Sequence, residues 1–362
     1  MKCEKQNHYL KNEAFGNAFK EGAQYNGNER TFHRIQGPFR MSVKRQSTTM
    51  GVALAAFVVI VWSATFVNTK ALLADFSALE ILAIRFAMAW IALWAIHPHG
   101  MGPLRVRDEA LFAVAGLGGA TVYQMLENVA IHFTNASNVG ILVATSSLFA
   151  AIMSRILLGE RTFTPRFLVG CALALGGVTL VSLGGARAFH FRPIGDALAL
   201  GAAMSWGVYS AAVTIVNRGG WHPVAAIRRA FFWALVFMLP LLVFALAMPE
   251  TATQISCSVD LSRAGNAARF ARLPNLANLA FLGLLASAAC FVAWNKACER
   301  LGTVRCSLGL YLIPVIAFLI AHVFLGETLP AAGVIGAVLV LAGVAVAGLS
   351  KPRPRESPSR EA

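Results

Sequence analysis

The sequence predicts an all-α integral membrane fold of ten transmembrane helices arranged as two inverted five-helix repeats, and three observations carry that prediction. The first is composition. Of 362 residues, 57% are hydrophobic and 13% charged, with a mean hydropathy of +0.62, which leaves too little polar surface to clothe a soluble globule of this size. The second is segment length: cutting the apolar stretches at their charged, Gly or Pro punctuation leaves ten pieces near the roughly 20 residues that a bilayer-crossing helix needs. The third is a repeat. LLGERTF (157–163) returns as FLGETLP (324–330), each time at the close of an apolar stretch.

The spans follow in order. The first, 50–73, continues from the basic run MSVKRQSTTM, and the second, 77–96, opens after Asp75 and stops at His97 and Pro98. The third, 110–133, begins beyond the charges of 105–109; the fourth, 137–158, stops at Gly159 and Glu160; the fifth, 165–183, starts at Pro165. The sixth, 197–216, lies between Asp196 and Arg218, and the seventh, 224–246, between Pro223 and Pro249. The eighth, 276–294, is followed by Asn295 and Lys296, the ninth, 304–325, by Gly326 and Glu327, and the tenth, 330–349, by Lys351. These stretches are continuously apolar and lack the period-two alternation of membrane strands, so helices are expected rather than a barrel.

Charge sets the expected orientation. If the first span starts inside, Lys44, Arg45, Arg105, Arg107, Arg161, Arg166, Arg218, Lys296, Arg300, Arg305, Lys351, Arg353 and Arg355 fall on the cytoplasmic side. Lys70, Arg187, Arg192, Arg263, Arg269 and Arg272 fall outside, so both termini are expected in the cytoplasm. The net charge of +14 is then accounted for by topology and attraction to anionic lipid, and nucleic acid is not expected as a partner. The chain divides into a polar, basic N-terminal tail (1–49), a first repeat (50–184), a second repeat (194–350) with an outer loop at 249–275, and a basic cytoplasmic tail (351–362). Residues 1–40 hold no apolar region that would make a signal peptide, and Met41 is an alternative start that would leave them outside the natural protein. The six cysteines form no CxxC and no disulfide framework and read as packing residues.

The repeat extends beyond its opening motif. Asn128 and Asn295 stand at the same distance before their Leu-Gly-Glu, Gly177-Val178 and Gly343-Val344 recur near the ends of the fifth and tenth spans, Ala83-Ile84-Arg85 is echoed by Ala226-Ile227-Arg228, and Trp62-Ser63 by Trp206-Gly207. Five spans per repeat is an odd number, so consecutive homologous halves must cross the membrane in opposite senses. Inverted repeats of that kind build alternating-access transporters, with a substrate site near the midplane.

The same stretches resemble a known family. Span pairs closing on LGE and followed by spaced glycines, WSATFVNTK (62–70), YQMLENVAIHFTNASN (123–138) and AWNKACERLGTVRCSLGLYLIPVIAFLIAHVFLGETL (293–329) are similar to the EamA-like family of the drug/metabolite transporter superfamily, over about residues 50–350. The resemblance implies ten helices in inverted halves, the bacterial inner membrane, and export of amino acids, other metabolites or toxic compounds. Two departures stand out: Ser147 is the counterpart of Pro314 where many members carry Pro, and the 249–275 loop is long.

Charges inside a bilayer are costly, so each marks a candidate site. Glu127 follows Tyr123 and Gln124 on one face of the third span, where a carboxyl can bind an amino group or carry a proton; the alternative places it at the outer interface beside Asn128. Arg85 is a candidate for an acidic substrate group or for pairing with Glu127, and Arg228 is its echo; the alternative for both is snorkelling to lipid headgroups. Trp62, Trp206, Tyr209, Trp294 and Tyr311 are candidate stacking or cation–π surfaces, each also readable as helix packing, and Asn295 lies in the family-like AWNKA run. Glu160 and Glu327 are expected as structural hairpin residues that cap the following helices, with Pro314 a bending residue. There is no Walker motif, no GxSxG and no HExxH, so neither an ATP-driven pump nor an enzyme is expected, and His97 and His99 are too isolated for a metal site. No cofactor is expected. The expected partners are a small-molecule substrate, the bilayer and, as a hypothesis attached to Glu127, protons. A facilitator has the same fold, and a non-transporting scaffold or lipid-binding component is the alternative from another class.

Overall fold

The computed structural model describes residues 39–102, 104–134, 136–160, 162–184, 192–255, 257–260, 262–325 and 330–349, and every regular element among them is helical. In chain order these are α1 (Phe39–Leu72), α2 (Ala78–Ile96), α3 (106–133), α4 (136–158), α5 (Pro165–Gly184), α6 (Pro193–Arg218), α7 (Pro223–Ala247), the short α8 (Pro249–Gln254) and α9 (Arg263–Ala271), α10 (Leu273–Leu301), α11 (303–325) and α12 (Ala331–Gly348). Their ends obey local chemistry. Ser77 and Glu80 form a reciprocal capping box at the start of α2, proline occupies the first turn of α6 and α7, and Gly159 closes α4 with a left-handed φ of 70°.

Among the described residues, eight helices are long and apolar enough to cross a membrane: 48–72 within α1, 78–96, 139–158, 165–182, 193–218, 223–247, 273–301 and 331–348. The other two expected spans differ in character. The rod α3 carries Arg107, Asp108, Glu109 and Glu127, and α11, apolar through Leu312–Leu325, is interrupted by the 3₁₀ turn Gly309–Tyr311. Helix α1 begins at Phe39, inside the stretch read as a tail. The expected outer loop contains α8 and α9, started by Pro249 and by Ser262, whose hydroxyl accepts the Gly265 amide at 3.2 Å.

Irregularities recur at matching places. Helix α3 widens into a π-helical stretch at Leu117–Val122 and α10 at Phe281–Ala289; the register that aligns Asn128 with Asn295 lays the first onto residues 284–289. Helix α4 breaks at Thr145 between Ala136–Ala144 and Ser146–Leu158, and α11 tightens into a 3₁₀ turn at Gly309–Tyr311 before Leu312–Leu325. Pro314 sits just past that turn, where its missing N–H costs least.

The main core lies among α1, α2, α3, α6, α7 and α10, with a second cluster among α4, α5, α11 and α12. The second is built on a backbone-close crossing. A Cβ on Gly170 would lie 2.6 Å from the Gly343 carbonyl oxygen, and one on Gly177 would lie 2.6 Å from that of Gly336, so α5 and α12 run antiparallel with their backbones in contact.

At one end of the molecule the 249–275 segment straps across the start of α2. Arg269 grips the Glu80 carboxylate with both terminal nitrogens at 2.8 and 2.9 Å, also donates to the Asp75 carbonyl at 3.1 Å, and lies 4.7 Å from the Phe76 ring centroid. Glu80 in turn accepts the Asp260 amide at 2.9 Å. Arg272 binds Asp75 at 2.8 and 2.9 Å, Asn275 adds a bond to the same carboxylate at 2.9 Å, and Ser77 donates to the Ser258 carbonyl. The Glu80 and Arg269 side chains are only 8% and 11% exposed, so the pair is largely sheltered from water. Hydrogen bonding from Asn275, helped by Arg272 and Arg269, holds Asp75 below the usual carboxylate value, and the Ser262 amide does the same for Asp260.

These contacts make three predictions. Replacing Gly177 by Leu forces α5 and α12 apart at a cost on the order of 3 kcal/mol, whereas Gly176→Leu, where a Cβ meets nothing within 4 Å, is tolerated; the fraction recovered as a monodisperse peak in detergent separates them. Glu80→Gln leaves Arg269 buried without its carboxylate, an effect on the order of 3 kcal/mol that lowers the thermal unfolding midpoint by several degrees. Because Asp75 and Asp260 have depressed pKa values, the strap's stabilisation is present above the ordinary value of 3.8 and is lost as pH falls through the lower folded value. Acidifying wild-type protein below that range therefore lowers its midpoint in the same scan.

Candidate functional site

Midway along α1, α6 and α10, three indoles meet. Trp62 lies 5.6 Å from Trp206 and 5.3 Å from Trp294 between ring centroids, with Phe291 at 5.5 Å; Trp206 is also 5.0 Å from Tyr123 and 4.9 Å from Tyr209. Most of these contacts are edge-on or tilted, the arrangement favoured by the aromatic quadrupole. The π-helical stretches shape the cluster: Trp62 donates its indole N–H to the carbonyl of Ala286 at 3.0 Å, and the Tyr209 ring packs on Gly119, where a Cβ would lie 2.4 Å from Cδ2.

Several polar atoms here are buried without a hydrogen-bond partner: the indole nitrogens of Trp206 and Trp294, the Tyr209 and Ser210 hydroxyls, and the Asn295 side-chain oxygen. Each such group costs about 1–3 kcal/mol if nothing compensates it. A cluster that tolerates several is built for more than packing.

The charges flank the rings. Arg85, 6% exposed, donates from Nε to the buried Ser287 hydroxyl at 3.0 Å. Glu127 accepts a long bond of 3.4 Å from the Tyr123 hydroxyl. Arg85 and Glu127 are close enough to feel each other's charge, yet no ion pair joins them. Glu127 is half-buried beside Tyr123.

Other sequence candidates lie elsewhere. Arg228 donates to the carbonyls of His97 and His99, the latter at 2.7 Å, and sits 4.1 Å over the Trp94 ring, so it ties α7 to the end of α2 away from the cluster. Its neighbour Arg229 pairs with Glu109 at 2.7 Å, an oxygen that Trp233 also reaches. Tyr311 is fully buried in the second core with Cys171 and Val340. Gln124 is half-buried on α3, and the Asn295 carbonyl accepts from Asn217 at 3.3 Å. Glu160, expected to cap α5, does not: Thr164 does so through the Phe167 amide at 3.1 Å, while Glu160 accepts from Ser154 at 2.6 Å and pairs with Arg218 of α6 at 2.9 Å, which draws its carboxylate away from the α5 terminus. Glu327 lies outside the described residues.

Between α4, α6, α10 and α11, at the end opposite the strap, lies a cavity of about 220 Å³ lined by Ser154, Glu160, Thr214, Arg218, Thr303 and Arg305 among others, and reaching Ser210 beside the aromatic cluster. Sequence reading missed this cavity, Ser287 and the Glu80–Arg269 pair.

Comparison with known proteins adds three findings. The model of the EamA-like transporter family matches residues 49–183 and 193–349. A probable terminal-alkyne amino-acid exporter of Streptantibioticus cattleyicolor is 30% identical over 307 residues, 83% of this chain and 95% of the relative, and a probable amino-acid metabolite efflux pump of Escherichia coli K12 is 25% identical over 80% of this chain and 92% of the relative. A solved crystal structure with 20% identity superposes with a TM-score of 0.63 over 84% of this chain and 96% of the other, a likeness of fold.

The orphaned Tyr209 hydroxyl makes a direct prediction. Tyr209→Phe removes an unpartnered buried group without changing ring volume, so thermal stability in detergent rises by about 1 kcal/mol; transport by the same variant falls if the hydroxyl meets the substrate. A drop in stability would mean that the hydroxyl is bonded after all.

Proposed function

The chain belongs to the EamA-like transporter family and is a membrane transporter of small metabolites; we propose that it exports amino acids or related compounds by alternating access around the Trp62–Trp206–Trp294 cluster. The observation that carries this reading is the cluster itself: aromatic rings from both halves of the chain, a buried cation and a half-buried carboxylate on its flank, and polar atoms left without partners. A scaffold would gain by pairing or removing those groups. A carrier keeps them for its cargo.

Ten crossings in two inverted halves form part of the proposal. It is supported by the antiparallel glycine contact of α5 with α12, the closing helices of the two halves, and by the π-helical stretches that fall in register in α3 and α10. With both termini in the cytoplasm of a bacterial inner membrane, the cavity beside Arg218 and Arg305 faces inward and the Arg269 strap closes the outer end. Cargo then enters from the cytoplasm, the direction that export requires. Glu127 is the coupling group in this reading, exchanging a proton as the site changes sides.

The test is uptake of radiolabelled amino acids into proteoliposomes with and without an imposed pH gradient, wild type against Glu127→Gln. Accumulation that needs the gradient and is lost in the variant is the expected outcome. Equilibration that ignores the gradient and survives the substitution would make the protein a facilitator and remove Glu127 from the mechanism.

A further inference from the structure

We propose that Ser287 is the positioning residue that turns Arg85 into an end-on receptor for the substrate's carboxylate. The inference rests on the amino-acid reading above and deepens it.

A guanidinium presents two edges that can grip a carboxylate with paired N–H bonds, one containing Nε and one formed by the two terminal nitrogens. Ser287 accepts the Nε–H hydrogen bond at 3.0 Å and so occupies the first edge. The terminal nitrogens have no hydrogen bond or ion pair to any described residue, although Arg85 is 6% exposed and its charge is therefore expensive to leave uncompensated. Glu127, the nearby carboxylate, is held by Tyr123 rather than by Arg85. A ligand that brings its own carboxylate meets that need, and one that also brings an ammonium group meets Glu127.

The fold explains why a serine on α10 can do this. Gly283, one turn earlier, lets α10 approach α2 closely: a Cβ there would lie 2.9 Å from Met88 Cβ and 3.3 Å from the Arg85 carbonyl oxygen. The π-helical stretch Phe281–Ala289 then directs the fully buried Ser287 hydroxyl at Arg85, one turn before Phe291 enters the aromatic cluster. An α-amino acid seated with its carboxylate on Arg85 and its ammonium toward Glu127 presents its side chain to Trp62, Trp206 and Tyr123, so aromatic side chains suit the site.

The experiment compares three labelled probes in proteoliposomes: L-phenylalanine, phenethylamine without the carboxylate, and 3-phenylpropionate without the amine. Wild type is expected to prefer phenylalanine. Ser287→Ala raises the KM for phenylalanine roughly tenfold with turnover nearly kept, as loss of a hydrogen bond to a charged group implies, and leaves the low transport of phenethylamine unchanged; Ser287→Thr, which keeps the hydroxyl, restores the KM. Thermal unfolding of each variant confirms that it is folded. An unchanged phenylalanine KM in Ser287→Ala, or an equal effect on the amine, overturns the proposal while the transporter reading stands. Wild type that moves phenethylamine in preference to phenylalanine overturns it too. Wild type that moves none of the three but carries other metabolites overturns the amino-acid reading beneath it.

Discussion

A polar group inside a bilayer has no water to fall back on, so it must be bonded by the protein or by what the protein carries. That constraint sorts this molecule into two kinds of region. At the strap, nearly every charge has a matched partner: Glu80 with Arg269 and the Asp260 amide, Asp75 with Arg272 and Asn275. In the middle, indole N–H groups, a tyrosine hydroxyl and the far edge of a guanidinium have none. The contrast separates where the chain holds itself together from where it offers itself to something else.

The same constraint shapes the scaffold. Helices that cross hydrocarbon gain little from hydrophobic attraction to one another, so close association depends on backbone approach, and the α5–α12 crossing achieves it with glycines facing each other's carbonyls. The π-helical stretches act on the opposite principle, loosening α3 and α10 where the cluster forms. Ala286, inside one of them, accepts the Trp62 indole N–H at its carbonyl, and Ser287, next to it, accepts a hydrogen bond from Arg85 Nε. An irregularity that would be a defect in a packing helix supplies both functional bonds here.

Much of this was legible in the chain. Span boundaries came from runs of apolar residues and their punctuation, and the pairing of Trp62 with Trp206 came from the repeat; the structure brings those indoles within 5.6 Å. Glu127 with Tyr123, four residues apart on one helix face, was legible because helical spacing is local. Ser287 was not. A serine among alanines in an apolar run carries no sequence signal until a helix from 202 residues away places an arginine beside it. The Glu80–Arg269 pair, 189 residues apart, is equally silent. Arg228 misled for the converse reason: it echoes Arg85 in sequence, but carbonyls at the end of α2 satisfy it before any site can. Glu160 was placed correctly in a hairpin and given the wrong partner, since capping is a local inference and its bond to Arg218 is not.

A site that binds and releases cannot be fully bonded on its own. If Arg85 were paired with Glu127, and Trp206, Trp294 and Tyr209 had protein acceptors or donors, the empty site would be more stable and every ligand would first have to break those bonds. Leaving them unmet raises the energy of the empty site, and a ligand that meets them recovers that energy on binding. Most of the unpartnered buried atoms among the described residues lie at the cluster, and others are at Arg107, Ser307 and Tyr311. The cavity near Arg218 reaches toward the cluster at Ser210, one residue from Tyr209, and in the proposed cycle that is the end from which a ligand would reach the groups left unmet.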